Sequence, residues 1–297
     1  MREAIVALRK ANPGQDPRKI AGEFRARGFK APSPNTIAVI LKEEGLTRQK
    51  RKRNAWFRQW PGQLTVPDHP NHVWTVDYKG WFRLLDKTIC YPLTIMDLHS
   101  RFMIGCIPLS RPAFDPTWAS FDRLFRRFGL PEIIRVDNGT PFAGRGAGGI
   151  SRMSALWLRL GIDVEFIEPG KPQQNGSHER MHRTLKREFR KGRNMRQQTR
   201  LMRSWRRIYN HRRGHEALGM AVPASRYVRS VRSFPPIIPD FQYDEGEAVR
   251  RVKRSGEILW AGKRRYVNQG LRGCSVGLLE DQNGDLIVYA GSVLLGL

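Results

Sequence analysis

Three carboxylates stand where the chain could do phosphoryl-transfer chemistry: Asp77 in WTVDYKG, Asp137 at the start of DNGTPF, and Glu179 in PQQNGSHERMHRTLKRE. In-line displacement at a phosphodiester is served by two hard cations about 3.5–4 Å apart, one activating the attacking oxygen and one stabilising the leaving oxygen. Magnesium prefers oxygen ligands, so carboxylates suit the flanks of such a pair. Spacing alone leaves a plainer reading open, because an aspartate near a strand end is commonly a cap or turn former. The same stretch offers a competing chemistry. His178-Glu179-Arg180-Met181-His182 matches H-E-x-x-H, which on a helix puts both histidines on one face for zinc and peptide hydrolysis. That reading gives Asp77 and Asp137 no role, and its flanks, QQNG and RTLKRE, are polar and cationic, as a helix facing a polyanion requires. His178 and His182 are therefore read as neighbours of nucleic acid or of a catalytic carboxylate.

The elements that must position these residues begin near residue 68. VWTVDYKGWFRLL, ICYPLTIMDLHS and RFMIGCIPL are successive strand-like runs rich in β-branched and aromatic residues. A helix is predicted over 114–128, with Phe121, Leu124, Phe125 and Phe128 at helical spacing. The strand EIIRV, a helix near 151–160, the strand VEFIE and a long helix from about 175 follow. Three strands in a meander and then alternating helices and strands predict a mixed α/β layer architecture. Asp77 falls near the end of the first strand, Asp137 where EIIRV leaves the sheet, and Glu179 in the first turns of the long helix. Ligands of open α/β sheets gather at the carboxyl ends of the strands. Asp97, in IMDLHSR, is expected to end its strand or pair with Arg101, with a secondary contribution to a metal site left open. A second helix around 195–212 is expected to bury Leu201, Trp205 and Ile208. A proline-bearing connector (Pro223, Pro235, Pro236, Pro239) leads to short strands over 245–297, where Asn283-Gly284 is a hairpin signal and a small β-barrel is expected.

Ahead of the sheet, residues 1–46 read as three short helices. Asp16 with Pro17 starts the second and Gly28 ends it; Ser33 with Pro34 starts the third. Ile20 and Phe24 share one face of the second, and Ile37, Ile40 and Leu41 one face of the third. The segment fits a helix-turn-helix whose third helix enters the major groove with Asn35 and Thr36 near base edges, and it fits an ordinary helical bundle equally. Arg48, Lys50, Arg51, Lys52 and Arg53 crowd the next stretch, followed by Trp56, Phe57 and Trp60. That pattern predicts a linker arm lying on phosphates or a solvated hinge.

Fifty-three Lys and Arg against 27 Asp and Glu leave a net charge of +26, which selects polyanions as partners and nucleic acid first among them. Hydrophobic residues at 40% exclude a disordered polybasic tail. No apolar run is long enough to span a membrane, and MREAIVALRK lacks the apolar core of a secretory signal. The three cysteines, Cys90, Cys106 and Cys274, form no C-x-x-C pair and suit a reducing cytosol.

The segments W-T-V-D, D-N-G-T-P-F and P-G-K-P-Q-Q-N-G-S-H-E-R-M-H-R-T-L-K-R-E together resemble the core motifs of insertion-sequence DDE transposases with a retroviral-integrase-type catalytic domain. The resemblance runs over essentially the whole chain, including Y-N-x-R-R-x-H-E-A-L after the long helix. It implies a multidomain α/β protein: a helix-turn-helix at 1–46, a basic linker at 47–67, a ribonuclease-H-like core at 68–192, a helical extension and connector at 193–244, and a β-barrel at 245–297. It implies that Asp77, Asp137 and Glu179 are the D, D and E that hold two Mg2+ ions, Mn2+ being able to substitute. It further implies hydrolysis at element ends and strand transfer into target double-stranded DNA, by a homo-oligomer in the bacterial cytoplasm and nucleoid, with an accessory protein as an open partner. Lys171, Gln173, Gln174 and Asn175 before the helix, and Arg180, Arg183, Lys186 and Arg187 along it, are expected to grip DNA.

Three features depart from the family pattern. The interval from Asp137 to Glu179 is 42 positions, longer than usual, which assigns GRGAGG at 144–149 to a surface loop. Gly214 stands where proline is usual before H-E-A-L. The chain also begins inside what looks like a second helical DNA-binding unit. The rival readings are a catalytically silent repressor, a ribonuclease H acting on RNA–DNA hybrids, and the zinc protease.

Overall fold

The computed structural model describes residues 1–11, 17–46, 64–169, 171–280 and 286–296. The basic arm Arg48–Arg53 with its aromatic followers, Asp16, and the Asn283-Gly284 turn lie outside the described residues. The chain divides into two compact units, Met1–Ala55 and Trp56–Leu297.

The first unit holds α1 (Arg2–Ala11), α2 (Pro17–Ala26) and α3 (Pro34–Glu43). Their apolar faces meet in a core of Ile5, Ile20, Ala21, Phe24, Ile37 and Leu41. Gly28 takes a φ of 78° just beyond α2, the left-handed stop its position predicts. Ser33 caps α3: its Oγ accepts the Thr36 backbone N–H at 3.1 Å, with Pro34 in the first turn. Asn35 and Thr36 are exposed.

The second unit is built on a six-stranded mixed sheet of β1 (Val73–Tyr78), β2 (Phe82–Arg83), β3 (Ile89–Asp97), β4 (Met103–Leu109), β5 (Ile133–Val136) and β6 (Asp163–Phe166). β3 pairs antiparallel with β4, β1 and β2, while β1, β5 and β6 run parallel. Strand alternation sorts side chains onto two faces. Trp74, Val76, Leu93 and Ile95 pack with α4 (Phe114–Phe128) and α5 (Arg152–Arg159), where Phe121, Phe125 and Trp157 form the centre of the core. Val73, Met96, Met103 and Cys106 pack on the other face with α6 (Gly176–Glu188) and α7 (Met195–His211). Thr75 and Asp77 follow Val73 at the period of two, so they point toward α6. Asp97 is fully buried and ends its strand, accepting N–H bonds from Asn71 at 2.6 Å and Ser100 at 2.7 Å.

α7 turns a different stripe inward from the expected one. Met202 and Tyr209 are buried together with Gln198 and Asn210, whereas Ile208 is 47% exposed. Asn210 accounts for the rotation: its side chain accepts the Met103 N–H at 2.8 Å and donates to the Met103 carbonyl at 3.0 Å. The connector is folded onto the core, with Tyr227 stacked on Phe102 at 4.2 Å between centroids.

The expected C-terminal barrel does not form. β7 (Ala248–Arg251), β10 (Ser275–Glu280), β11 (Leu286–Ala290) and β12 (Val293–Gly296) make an open four-stranded sheet in the order β12-β11-β10-β7. β8 (Glu257–Trp260) and β9 (Lys263–Tyr266) pair only with each other. Closure needs edge strands that meet and inward side chains to fill the interior. All four residues of β9, KRRY, are exposed, so that strand has no inward face. The apolar side of the larger sheet is covered instead by Ala147, Ile150 and Ala155, which lie between β5 and β6 of the mixed sheet.

The same contact corrects the reading of GRGAGG as a surface loop. Ala147 and Ile150 are buried, and their carbonyls accept from the Asn268 side-chain amide at 2.7 and 3.1 Å. A Cβ on Gly146 would lie 2.6 Å from the Asn268 side chain, so glycine is what permits the approach. No helix among the described residues is long and apolar enough to cross a membrane.

Candidate active site

Strand register brings the two aspartates together. Val76 is level with Val136 in the parallel β1–β5 pair, so Asp77 and Asp137 follow at adjoining strand ends. Glu179 lies in the first turn of α6 and is exposed, as is Asp137, while Asp77 is half-buried between them. Burial, then the charge of Asp137, with a smaller contribution from Glu179, pushes the Asp77 carboxyl up to about 7; the Tyr78 backbone N–H and Lys79 oppose this. Asp137 keeps one oxygen on the Gly139 N–H at 3.0 Å. The donor set is oxygen-rich, partly desolvated and short of positive charge, which fits a hard divalent cation.

Beneath Asp77 the two histidines, expected beside nucleic acid or a catalytic carboxylate, meet Thr94, a residue that sequence reasoning missed. Thr94, opposite Asp77 in the β1–β3 register, places its Oγ1 3.0 Å from the Asp77 carbonyl, 2.7 Å from His178 Nε2 and 2.8 Å from His182 Nε2. The available signal was a single threonine inside the apolar run of β3. Both histidines sit on the inward face of α6, four residues apart, in edge-to-face contact. Burial holds both imidazoles neutral, His182 down to about 3 and His178 well below its ordinary value. His182 Nδ1 lies 3.6 Å from Asp77 Oδ2, and since the ring is neutral this is no ion pair. The zinc-protease geometry is not present, because both Nε2 atoms are held by one hydroxyl while Glu179 faces solvent. Asp77, His178 and His182 nonetheless bring potential ligand atoms within 4.8 Å of one another; Asp68, His69 and His72 form a second such cluster ahead of β1.

The remaining candidates divide by surroundings. Arg180, Arg183, Lys186 and Arg187 are all exposed along α6. Asn175 is buried and accepts the Thr75 hydroxyl at 2.8 Å. Gln174 bonds Glu168, and Lys171 pairs with Glu168 at 2.7 Å. The Gln173 side chain lies outside the described residues. A further cationic surface was not singled out as a site: a cleft of about 600 Å³ lined by Arg127, Arg200, Arg203, Arg206, Arg207 and His211, over Phe102 and Phe128. Arg206 donates to the Ile104 carbonyl of β4. Among the described residues, no ion pair joins these arginines to a carboxylate.

Two family models, each described as an integrase core domain, match residues 67–172 and 160–223 and together span more than half of the chain. The chain belongs to the integrase catalytic core family shared by DDE transposases and retroviral integrases. It is 24% identical over 192 residues to the Insertion element IS407 uncharacterized 31.7 kDa protein of Burkholderia multivorans, covering 63% of this chain and 66% of that protein. It is 36% identical over 161 residues to the Gag-Pol polyprotein of Baboon endogenous virus, covering 52% of this chain and 8% of the polyprotein. The chain thus spans just under two thirds of the first relative and a small part of the second. Among solved structures, a simian T-cell lymphotropic virus intasome chain in complex with PP2A regulatory subunit B56 gamma aligns with TM-score 0.47 at 15% identity. That alignment covers 92% of this chain and 93% of the other. The HTLV-2 integrase catalytic core domain in complex with magnesium aligns with TM-score 0.42 at 14% identity, covering 55% of this chain and 100% of the other. Membership supports a polynucleotidyl-transferase function at the level of the family.

Proposed function

We propose that the protein is a DNA transposase that hydrolyses the phosphodiester at element ends and joins the freed 3′-hydroxyl to target DNA. The observation that carries the reading is the approach of Asp137 and Glu179 to Asp77, from a neighbouring strand end and a helix start within an integrase core, close enough for their charges to add to burial in raising the Asp77 carboxyl. Two magnesium ions, when bound by these three residues, supply activation of the attacking oxygen and stabilisation of the leaving oxygen. Asp77 holds its carboxylate on the rigid sheet, with its backbone carbonyl fixed by Thr94. Asp137 and Glu179 face the solvent from which DNA arrives. Arg180, Arg183, Lys186 and Arg187 hold the phosphate backbone beside the scissile bond, and the arginine cleft of α7 holds a further stretch of duplex. The three N-terminal helices bind the element end as a helix-turn-helix, with Asn35 and Thr36 at base edges. The protein works as an oligomer on DNA in the bacterial cytoplasm.

The test is magnesium-dependent strand transfer on labelled duplexes carrying the ends of the DNA that flanks the gene, with wild type beside Glu179→Gln. Joined products from the wild type alone are expected. Tight binding of those ends without cleavage by either protein overturns the enzymatic reading in favour of a repressor. Undiminished joining by Glu179→Gln removes the third carboxylate from the mechanism.

A further inference from the structure

The Thr94 hydroxyl has one proton and two lone pairs. The Asp77 carbonyl at 3.0 Å accepts only, so the proton goes there, and both lone pairs remain for His178 and His182. Each imidazole must then donate from Nε2, which fixes both neutral rings in the same tautomer. Their Nδ1 atoms are left as bare lone pairs. That of His178 is fully buried with no hydrogen-bond partner. That of His182 faces Asp77 Oδ2 at 3.6 Å, and in the metal-free protein the carboxyl proton of Asp77 is the only positive hydrogen the pair itself can place between the two atoms. A metal ion that displaces that proton would sit against both atoms at once. Nitrogen and oxygen ligands lie about 2.0–2.2 Å from a transition-metal ion, so two ligands of one ion stand roughly 3–4 Å apart. The observed separation is a ligand–ligand distance.

We propose that His182 Nδ1 is a metal ligand alongside Asp77, making one cation position a mixed nitrogen–oxygen site that takes a transition-metal ion in preference to Mg2+. The inference rests on the metal-dependent reading of Asp77 given above and adds a ligand to it. His178 is a positioning residue: it fills the second lone pair of Thr94 and so fixes which nitrogen of His182 is free. Imidazole suits first-row transition ions, whereas Mg2+ is held by oxygen, so affinity should rise from Mg2+ to Mn2+ and on toward Co2+ and Ni2+.

Electron paramagnetic resonance of Mn2+ bound to the full chain reads the ligand directly, through hyperfine coupling to a coordinated nitrogen. The expected result is a nitrogen coupling that changes when the protein is grown with [15N]histidine, is absent in His182→Gln and persists in His178→Gln. His182→Gln should also weaken Mn2+ binding by about tenfold or more while leaving Mg2+ binding, measured by competition, nearly unchanged. Isotope labelling of the wild type needs no variant, so a poorly folded His182→Gln does not blunt the test. Mn2+ bound in an Asp77-dependent manner without nitrogen coupling overturns this inference and leaves the proposed function standing. A coupling that survives His182→Gln assigns the ligand elsewhere and also overturns it. Failure of the wild type to bind any divalent ion removes both.

Discussion

The carboxylates around Asp77 and the arginines along α7 are both clusters of like charge, yet they relieve their repulsion by different means. A carboxyl can hold a proton, and Asp77 does so up to about 7 because burial and its acidic neighbours disfavour the anion. A guanidinium remains charged at any working pH. Burial, Arg127 and Arg203 lower the pKa of Arg206, which is a statement of strain without a protonic remedy. Elsewhere the chain neutralises its arginines locally: Arg126 pairs with Asp122 at 3.0 Å and Arg135 with Glu165 at 2.8 Å. The cleft arginines lack such partners among the described residues, and under the proposed function DNA phosphates take that place. Under the proposed function one site takes cations and the other a polyanion, which is the pairing that metal-assisted chemistry on DNA requires.

The largest effect expected from breaking this contrast is at Asp77. Asp77→Asn should lower strand transfer by roughly a thousandfold, several kcal/mol of transition-state stabilisation, with duplex affinity unchanged. Parallel losses of binding and joining, measured by titration and single-turnover assay, would make the carboxylate cluster a structural feature. Reversing charge in the cleft should do the opposite. Arg203→Glu with Arg207→Glu should weaken duplex binding about tenfold or more and shallow the dependence of log K on log salt by about two phosphates. An unchanged salt slope would show that the cleft touches no backbone.

A smaller effect separates the two clusters by pH. Folded Asp77 holds its proton to about 7, whereas its ordinary value is 3.8, so the folded state binds more protons across that interval. Stability of the metal-free protein contributed by this group therefore declines as pH rises from about 4 through about 7. Allowing for partial exposure, the change is on the order of 1–2 kcal/mol. Melting of metal-free wild type against Asp77→Asn, at pH 5 and pH 8, isolates it. The difference between the two proteins should move in favour of the variant at pH 8, and saturating Mn2+ should restore the wild type. The arginine cleft contributes no such step.

These two regions were unequally legible. The placement of the carboxylates could be read because each lies in a short local pattern, a strand end, a strand-to-loop junction and a helix start, whereas their joint role came from the family resemblance alone. The orientation of α7 could not, because hydropathy scores Leu201, Trp205 and Ile208 but not Asn210, whose bonds to Met103 turn the helix. The glycine run at 144–149 reads as solvent-facing by composition. Only the fold reveals that its missing Cβ atoms admit Asn268 and seat the C-terminal sheet. The open form of that sheet follows from the same contact, since its apolar face is covered by the core and needs no closure.

The N-terminal helices carry neither cluster, and a mild change there sharpens the comparison. Ser33→Ala removes the Oγ that accepts the Thr36 N–H, an N-cap worth about 1 kcal/mol. Amide exchange through local opening of α3 should quicken about fivefold, with that of β1 and α7 unchanged. Because α3 belongs to a unit of its own, duplex binding at random sequence should keep the salt slope of the wild type. A slope that falls as far as in the cleft variant would move the backbone contacts from α7 to the N-terminal helices. A slope that holds while binding to the element's own ends weakens would leave α7 with the phosphates and give α3 the reading of sequence.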